Sequence, residues 1–267
     1  MIGLFLGDTD FSEIVLNKII KLKKKYFIID FSKNNKFRKD KNSNQISIGK
    51  FGKIINLIKE KKSNKVLFAG KITKPKFSTL RLDLKGIYYM PGVIKAAKSG
   101  DAAVIKAIIK ILEKEKIKVI SSNFFNPELS LKAKNYTKLK PTFKDTKSIK
   151  KGVDYFNQLN DLDHVQALVV KDEQVIATEG NQGTKKMLSK LKKKSAGILI
   201  KLPKKKQDLR MDLPTIGLNT FKDCKKYGLK GIVLKSKKNI FLDKDKSIRF
   251  ANKNKIFIKI IWKKYSF

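Results

Sequence analysis

The chain has 267 residues, 41% hydrophobic and 32% charged, with 63 Lys plus Arg against 23 Asp plus Glu and a formal net charge of +40. That length supports one large domain or two smaller ones with real cores, and 17 Phe exclude a disordered polyelectrolyte. No apolar run approaches the roughly 20 residues of a transmembrane helix; the lone Cys224 excludes an internal disulfide and suits a cytoplasmic protein.

From the amino terminus the pattern alternates. Ile2–Leu6 is an apolar run that predicts a strand, and Met1–Gly7 lacks the basic lead and cleavage site of a signal peptide. Phe11–Lys24 repeats its apolar residues at helical spacing, with Asp10 placed as N-cap. A strand at Tyr26–Asp30, a helix at Gly52–Lys61 and a strand at Lys65–Ala69 follow. Next come a short helix at Pro91–Lys98, a helix at Ala102–Lys116 capped by Asp101, and a strand at Ile117–Ser121. This alternation predicts an α/β fold, with a Rossmann-like amino-terminal domain, 1–135, built on a parallel sheet. Ligands of such sheets bind beyond the carboxyl ends of the strands. Those ends are Gly7-Asp8-Thr9-Asp10, the loop after Asp30, and Ala69-Gly70-Lys71. The first loop lacks Gly-x-Gly-x-x-Gly and Gly-Lys-Ser/Thr, so it reads equally as a plain turn before a helix.

The polar stretch Tyr136–Lys151 reads as the join to a mixed α/β carboxy-terminal domain, 136–267. Val165–Val170 and Gln174–Thr178 predict a hairpin, followed by a helix at Thr184–Lys192, a strand at Gly197–Leu202 and a loop at Gln207–Gly217. Thr220–Tyr227 and Asp245–Asn252 are helical in pattern; Gly231–Leu234, Ile240–Leu242 and Ile256–Ile261 are strands. In the segment Glu179–Thr184, Gly183 lets the backbone approach a ligand, and Thr184 is placed to cap a helix whose free N–H groups suit an anion. Ordinary loop and capping chemistry explains the same residues. His164, the only histidine, excludes a His-rich metal centre and reads as structural, with Asp161 and Asp163 just before it. Cys224 reads as a core residue.

The positive charge is spread along the whole chain and is almost all Lys, whereas nucleic-acid modules interleave Arg and aromatics. Solvated helix faces are the simpler reading, with no specific nucleic-acid partner and a weak attraction to anionic membrane surfaces.

The most informative stretch is 197–217. An apolar run ends in Lys204, Gln207, Asp208, Arg210 and Asp212, and Pro214 and Gly217 close it. Two carboxylates, a guanidinium and ammonium groups at a strand end suit a divalent metal and a phosphate together. Only four of the cations are Arg, at positions 38, 81, 210 and 249. Arg in a Lys-rich background points to a bidentate role that Lys cannot fill. Arg81 and Arg210 share the pattern Arg-x-Asp-Leu; each can instead pair with a neighbouring Asp and tie a loop.

These residues resemble a known family over essentially the whole chain. The likeness rests on Ser47-Ile-Gly-Lys-Phe-Gly-Lys53, Phe68-Ala-Gly-Lys71, Pro75-Lys-Phe-Ser78, Leu80-Arg-Leu-Asp-Leu-Lys85, Ser99-Gly-Asp101, Asp163 with Gln166, Glu179 with Gly183-Thr184, and Gln207-Asp-x-Arg-x-Asp-Leu-Pro-x-x-Gly217. It is similar to the LpxI family, the UDP-2,3-diacylglucosamine pyrophosphatases of lipid A biosynthesis in Gram-negative bacteria. The resemblance implies a two-domain, dimeric enzyme that yields UMP and 2,3-diacylglucosamine 1-phosphate using Mg2+ or another divalent cation such as Mn2+; the lone cysteine and the Lys surface suit a cytoplasmic protein with weak peripheral contact at the inner membrane. The resemblance places Asp208, Arg210 and Asp212 in catalysis, with one or both Asp holding the metal. The residue reading and the resemblance together place substrate binding at Gly7, Asp8, Gly70, Lys71, Arg81, Asp101, Gln166, Gly183, Thr184, Lys201, Lys204 and Gln207. The chain departs from the family pattern at Asp8-Thr9, Ala102, Val165, Gln182, Lys185 and Lys205-Lys206. A non-catalytic binder of a nucleotide lipid or of nucleic acid is the second reading, and the salt dependence of binding separates the two classes.

Overall fold

The computed structural model describes residues 1–73, 75–159, 165–180, 182–191, 195–204 and 208–262. His164, Asp161, Asp163, Lys205, Lys206 and Gln207 lie outside the described residues. The chain forms two compact units. Unit 1 comprises Met1–Pro127 together with Asp208–Asp212, and unit 2 comprises 128–207 and 213–267.

Unit 1 runs β1 (Ile2–Leu6), α1 (Asp10–Lys21), β2 (Tyr26–Asp30), β3 (Ser43–Asn44), α2 (Phe51–Glu60), β4 (Lys65–Ala69), α3 (Leu84–Lys98), α4 (Asp101–Lys114) and β5 (Lys118–Ile120). The sheet order is β3-β2-β1-β4-β5 and every pair is parallel, with Leu4 opposite Ile28 on one side and Leu67 on the other. β1, β2 and β4 are almost wholly buried, because a parallel sheet covered by helices leaves no wet face. Strand order reverses between β1 and β4, so the loops leaving these strands diverge and open a crevice.

The helix starts of unit 1 differ from the sequence expectation. Thr9 and Gly100 occupy the N-cap positions of α1 and α4, so Asp10 and Asp101 lie inside the first turn, where their charge meets the positive helix end. α3 begins seven residues before Pro91, because Asp83 caps it by accepting from Gly86 N at 2.8 Å. Pro91 therefore sits inside the helix and is exposed, and the helix also takes in Leu84–Met90, ahead of the expected Pro91–Lys98.

Unit 2 runs α5 (Phe143–Gln158), β6 (Ala167–Lys171), β7 (Gln174–Thr178), α6 (Gly183–Ser189), β8 (Ile198–Lys201), β9 (Thr215–Ile216), α7 (Leu218–Lys226), β10 (Gly231–Lys235), β11 (Ile240–Phe241), α8 (Lys244–Lys253) and β12 (Phe257–Ile261). The main sheet is mixed, in the order β12-β10-β8-β6-β7, and β9 pairs with β11. Period-2 alternation splits the core. Val169, Leu199, Ile232 and Ile258 face α6 and α7 with Phe221 and Cys224, whereas Leu168, Ile198, Ile200 and Val233 face Ile149 of α5. Burial pushes the Cys224 thiol well above its ordinary pKa, which leaves it an inert core residue.

α5 occupies much of the stretch read as a polar join. A capping box starts it: Thr142 accepts from Asp145 N, and Asp145 accepts from Thr142 N. Its buried stripe is short, Asp145, Ser148, Ile149 and Gly152, and the neighbouring Lys residues hide it in the sequence. Gly152 matters because a Cβ there would lie 2.5 Å from Ile200 Cδ1.

Candidate functional site

The divergent loops of unit 1 are stitched together by backbone. Gly7 N donates to Ala69 O and Asp8 N to Lys71 O, both at 2.9 Å. The Ser12 hydroxyl of α1 lies 2.9 Å from Gly7 O and 2.8 Å from Ala69 O, donating between them. A Cβ on Gly7 would meet Lys71 O at 2.3 Å, and one on Gly70, whose φ is +82°, would meet Ser12 Oγ at 2.1 Å. Glycine is therefore required at both positions by contact, and at Gly70 also by conformation. Asp8 does not point its charge into empty space. Its carboxylate accepts from Lys33 N at 2.8 Å and Thr73 Oγ1 at 3.4 Å, which ties the three strand-end loops into one rim.

Below this rim lies a cavity of about 520 Å³. Its walls are apolar, with Phe5, Phe51, Phe68, Met90, Val93 and Ile105 among them, and its polar groups are Lys33, Lys71, Thr73 and Asp101. The expected residues Lys71 and Asp101 are thus brought together. Lys33, Thr73 and the apolar wall were not expected; they come from segments scattered over the first 112 residues and from Met211, with no local spacing to mark them.

The Asp208–Asp212 segment belongs to this unit. It makes one helical turn, with Asp212 N donating to Asp208 O at 3.1 Å, where the sequence suggests an extended or irregular loop. Asp208 and Asp212 therefore stand on one side of the turn. Met211 reaches into the cavity wall, and Arg210 O accepts from Ser122 N at 2.9 Å beyond β5. The Arg210 fork is occupied. Its Nε and Nη2 donate to Asp208 Oδ1 and Oδ2 at 3.0 and 2.8 Å, and its Nη1 donates to Glu113 Oε1 of α4 at 2.7 Å. The guanidinium beside Asp208 holds that carboxyl below the usual carboxylate range, and the two carboxylates raise Arg210 further above its ordinary pKa. Arg81 behaves differently. It is exposed, and Asp83 of the same Arg-x-Asp-Leu pattern caps α3 and accepts from Gly52 N and Lys53 N of α2, both at 3.0 Å.

In unit 2 the expected residues Gln166, Thr184 and Lys201 converge on Glu179, a buried carboxylate. Glu179 accepts from Gln166 N at 2.9 Å and from Thr184 Oγ1 at 2.6 Å, and Lys201 Nζ donates to Thr184 Oγ1 at 3.1 Å. Thr184 therefore serves Glu179 and does not cap α6, whose N-cap is Gln182. Gly183 has φ +80°, and Lys204 is half-buried after β8. The Gln166 side-chain nitrogen is buried without a hydrogen-bond partner among the described residues, a donor suited to a ligand or water.

Among the described residues no group of three or more His, Cys, Asp or Glu is placed to hold a metal ion. Asp208 and Asp212 remain as a pair, which suffices for Mg2+ when waters and phosphate oxygens complete the shell. Both oxygens of Asp208 face Arg210.

Two sequence profiles match the chain. Residues 1–129 match the LpxI N-terminal domain and residues 132–259 the LpxI C-terminal domain. The chain is 30% identical over 223 residues to a Caulobacter vibrioides protein named UDP-2,3-diacylglucosamine pyrophosphatase LpxI, a match covering 80% of each.

Proposed function

The chain belongs to the LpxI family, and from that premise we propose that it hydrolyses the pyrophosphate of UDP-2,3-diacylglucosamine to UMP and 2,3-diacylglucosamine 1-phosphate. The observation that carries this reading is the pairing, in one unit, of a nucleotide-type crevice with an apolar cavity rimmed by Lys33 and Lys71. A nucleotide-linked lipid needs both. The crevice at the β1/β4 reversal suits the nucleoside and its phosphates. The cavity volume falls within the range of about 300–1,000 Å³ typical of ligand sites, and each acyl CH2 buried there contributes about 0.8 kcal/mol.

The residues then have distinct tasks. Lys33 and Lys71 neutralise pyrophosphate charge at the rim. Arg210 orients Asp208 and, through Glu113 and Ser122, fixes the turn that carries Asp212. Asp208, held ionised by Arg210, is a poor proton acceptor and serves as a fixed negative charge. One or both of Asp208 and Asp212 would hold a divalent cation such as Mg2+, which when bound would neutralise charge on the reacting phosphate. Water attack on the phosphorus nearest uridine releases the lipid-linked phosphate.

Incubation with UDP-2,3-diacylglucosamine and magnesium in oxygen-18 water tests this. UMP carrying the label is expected. Label in the sugar phosphate overturns the direction of attack, and nucleotide binding without cleavage replaces the enzyme with a binder.

A further inference from the structure

The exposed face of α3 is unlike any surface the sequence singles out. Leu84, Ile87, Tyr88, Pro91 and Ile94 recur at helical spacing and lie on one side of the helix. Leu84 is 87% exposed, Ile87 60% and Tyr88 66%, in a segment capped and ordered by Asp83. Single exposed apolar residues need no explanation, but a contiguous stripe does. The opposite face of the same helix supplies Met90 and Val93 to the wall of the apolar cavity.

The charge around the stripe selects its partner. α3 contains no acidic residue, and its face ends in exposed Lys95 and Lys98. Lys114 stands beside the stripe, with Nζ donating to Tyr88 OH at 3.0 Å and lying 5.0 Å from the ring centroid. Glu115 nearby is already engaged by Lys59, Lys85 and Tyr89. A second copy of this chain would bring the same cations against one another. A surface that is anionic outside and apolar within suits both parts, and Tyr with Lys is the side-chain chemistry of a membrane interface.

We infer that the exposed face of α3 docks on an anionic lipid bilayer, inserting Leu84 and Ile87 while Lys95, Lys98 and Lys114 stay at the headgroups. This rests on the lipid-substrate reading only for its purpose, since one wall of the cavity is then the docked helix.

The test is co-sedimentation of the full chain with phosphatidylcholine vesicles containing about 30 mol % phosphatidylglycerol, as salt rises to about 0.5 M and screening shortens to about 4 Å. Diffuse Lys attraction is lost under those conditions, and a salt-resistant fraction is expected to remain. The Leu84→Ser/Ile87→Ser variant should lower that fraction at least about 10-fold. As a second measurement, Ile87→Trp in a Trp262→Phe background should be quenched by lipids brominated on their acyl chains. Binding that vanishes with salt equally in parent and variant, or an unquenched probe, overturns the inference. So does a parent dimer that the double variant converts to monomer with vesicle binding unchanged, which assigns the face to a second copy. Cleavage of substrate in detergent micelles is read alongside. The double variant should match the parent there and fall behind only on vesicles. No cleavage by either protein, with salt-resistant vesicle binding intact, sinks the hydrolase reading and leaves the docking face supported.

Discussion

Arg210→Lys is the sharpest probe of the carboxylate turn. Arg210 uses its fork on Asp208 and its remaining amine on Glu113, three charge-assisted contacts from one planar group. Lysine is a point charge and can satisfy one carboxylate at a time. Charged hydrogen bonds contribute about 1.5–3 kcal/mol each, but Arg210 is 39% and Glu113 48% exposed, so solvent discounts the loss to about 1–2 kcal/mol. The unfolding midpoint should then fall by about 2–6 °C. Turnover should fall much further, at least about 30-fold, because the turn carrying Asp212 is no longer fixed and small displacements at a reacting centre are costly. Glu113→Gln is the control. It removes the outer charge and leaves the Asp208 fork intact, so turnover should stay within about 3-fold of the parent. Differential scanning fluorimetry and a UMP-release assay measure both. If Arg210→Lys retains most activity while Arg210→Ala does not, positive charge alone suffices and the fork has no role.

Other expectations follow from the same contacts. Asp212→Asn should cut turnover at least about 100-fold with an unchanged unfolding midpoint; near-normal turnover that still requires magnesium would place the ion elsewhere. Gly7→Ala forces a Cβ to within 2.3 Å of Lys71 O, a backbone atom, and should weaken UMP binding and destabilise unit 1 by about 1–3 kcal/mol; calorimetric UMP affinity equal to the parent's would refute the crevice assignment. Ile105→Phe narrows the cavity and should raise KM for long-chain substrate at least about 10-fold while sparing a short-chain analogue; equal effects on both would mean the cavity does not hold acyl chain. Burial alone would push Glu115 up, but hydrogen bonds from Lys85, Tyr89 and Lys59 outweigh it and hold the group at about 2. With the folded value below the unfolded one, its contribution is complete above the ordinary Glu range and lost as pH falls towards about 2. Glu115→Gln should flatten stability across that acid window, and denaturant titrations with unchanged pH dependence would contradict it.

The strands of unit 1 were legible because buried parallel strands are continuous apolar runs; the expected bounds of β1, β2 and β4 match the structure to the residue. α5 was hidden for the opposite reason, since its stripe of Asp145, Ser148, Ile149 and Gly152 is too short and too small to stand out among lysines. Position 210 drew attention through its rarity, yet its partner did not, because Glu113 lies 97 residues away and only the fold joins them. The cavity had no local signature at all: its wall is assembled from many elements, each contributing residues that read as ordinary core. The α3 stripe is hidden in the sequence because a proline reads as a helix start, whereas Pro91 is an interior residue of a helix capped by Asp83.

The membership of Asp208–Asp212 in unit 1 has a consequence for biosynthesis. The ribosome delivers all five strands of that sheet, and Glu113 and Ser122, at least 86 residues before the turn that they grip. A nascent or truncated chain ending at Pro127 can pair its strands but lacks both carboxylates and the guanidinium between them. Proteolysis anywhere between 127 and 208 would likewise remove the covalent link between the strands of that unit and the turn that carries Asp208, Arg210 and Asp212.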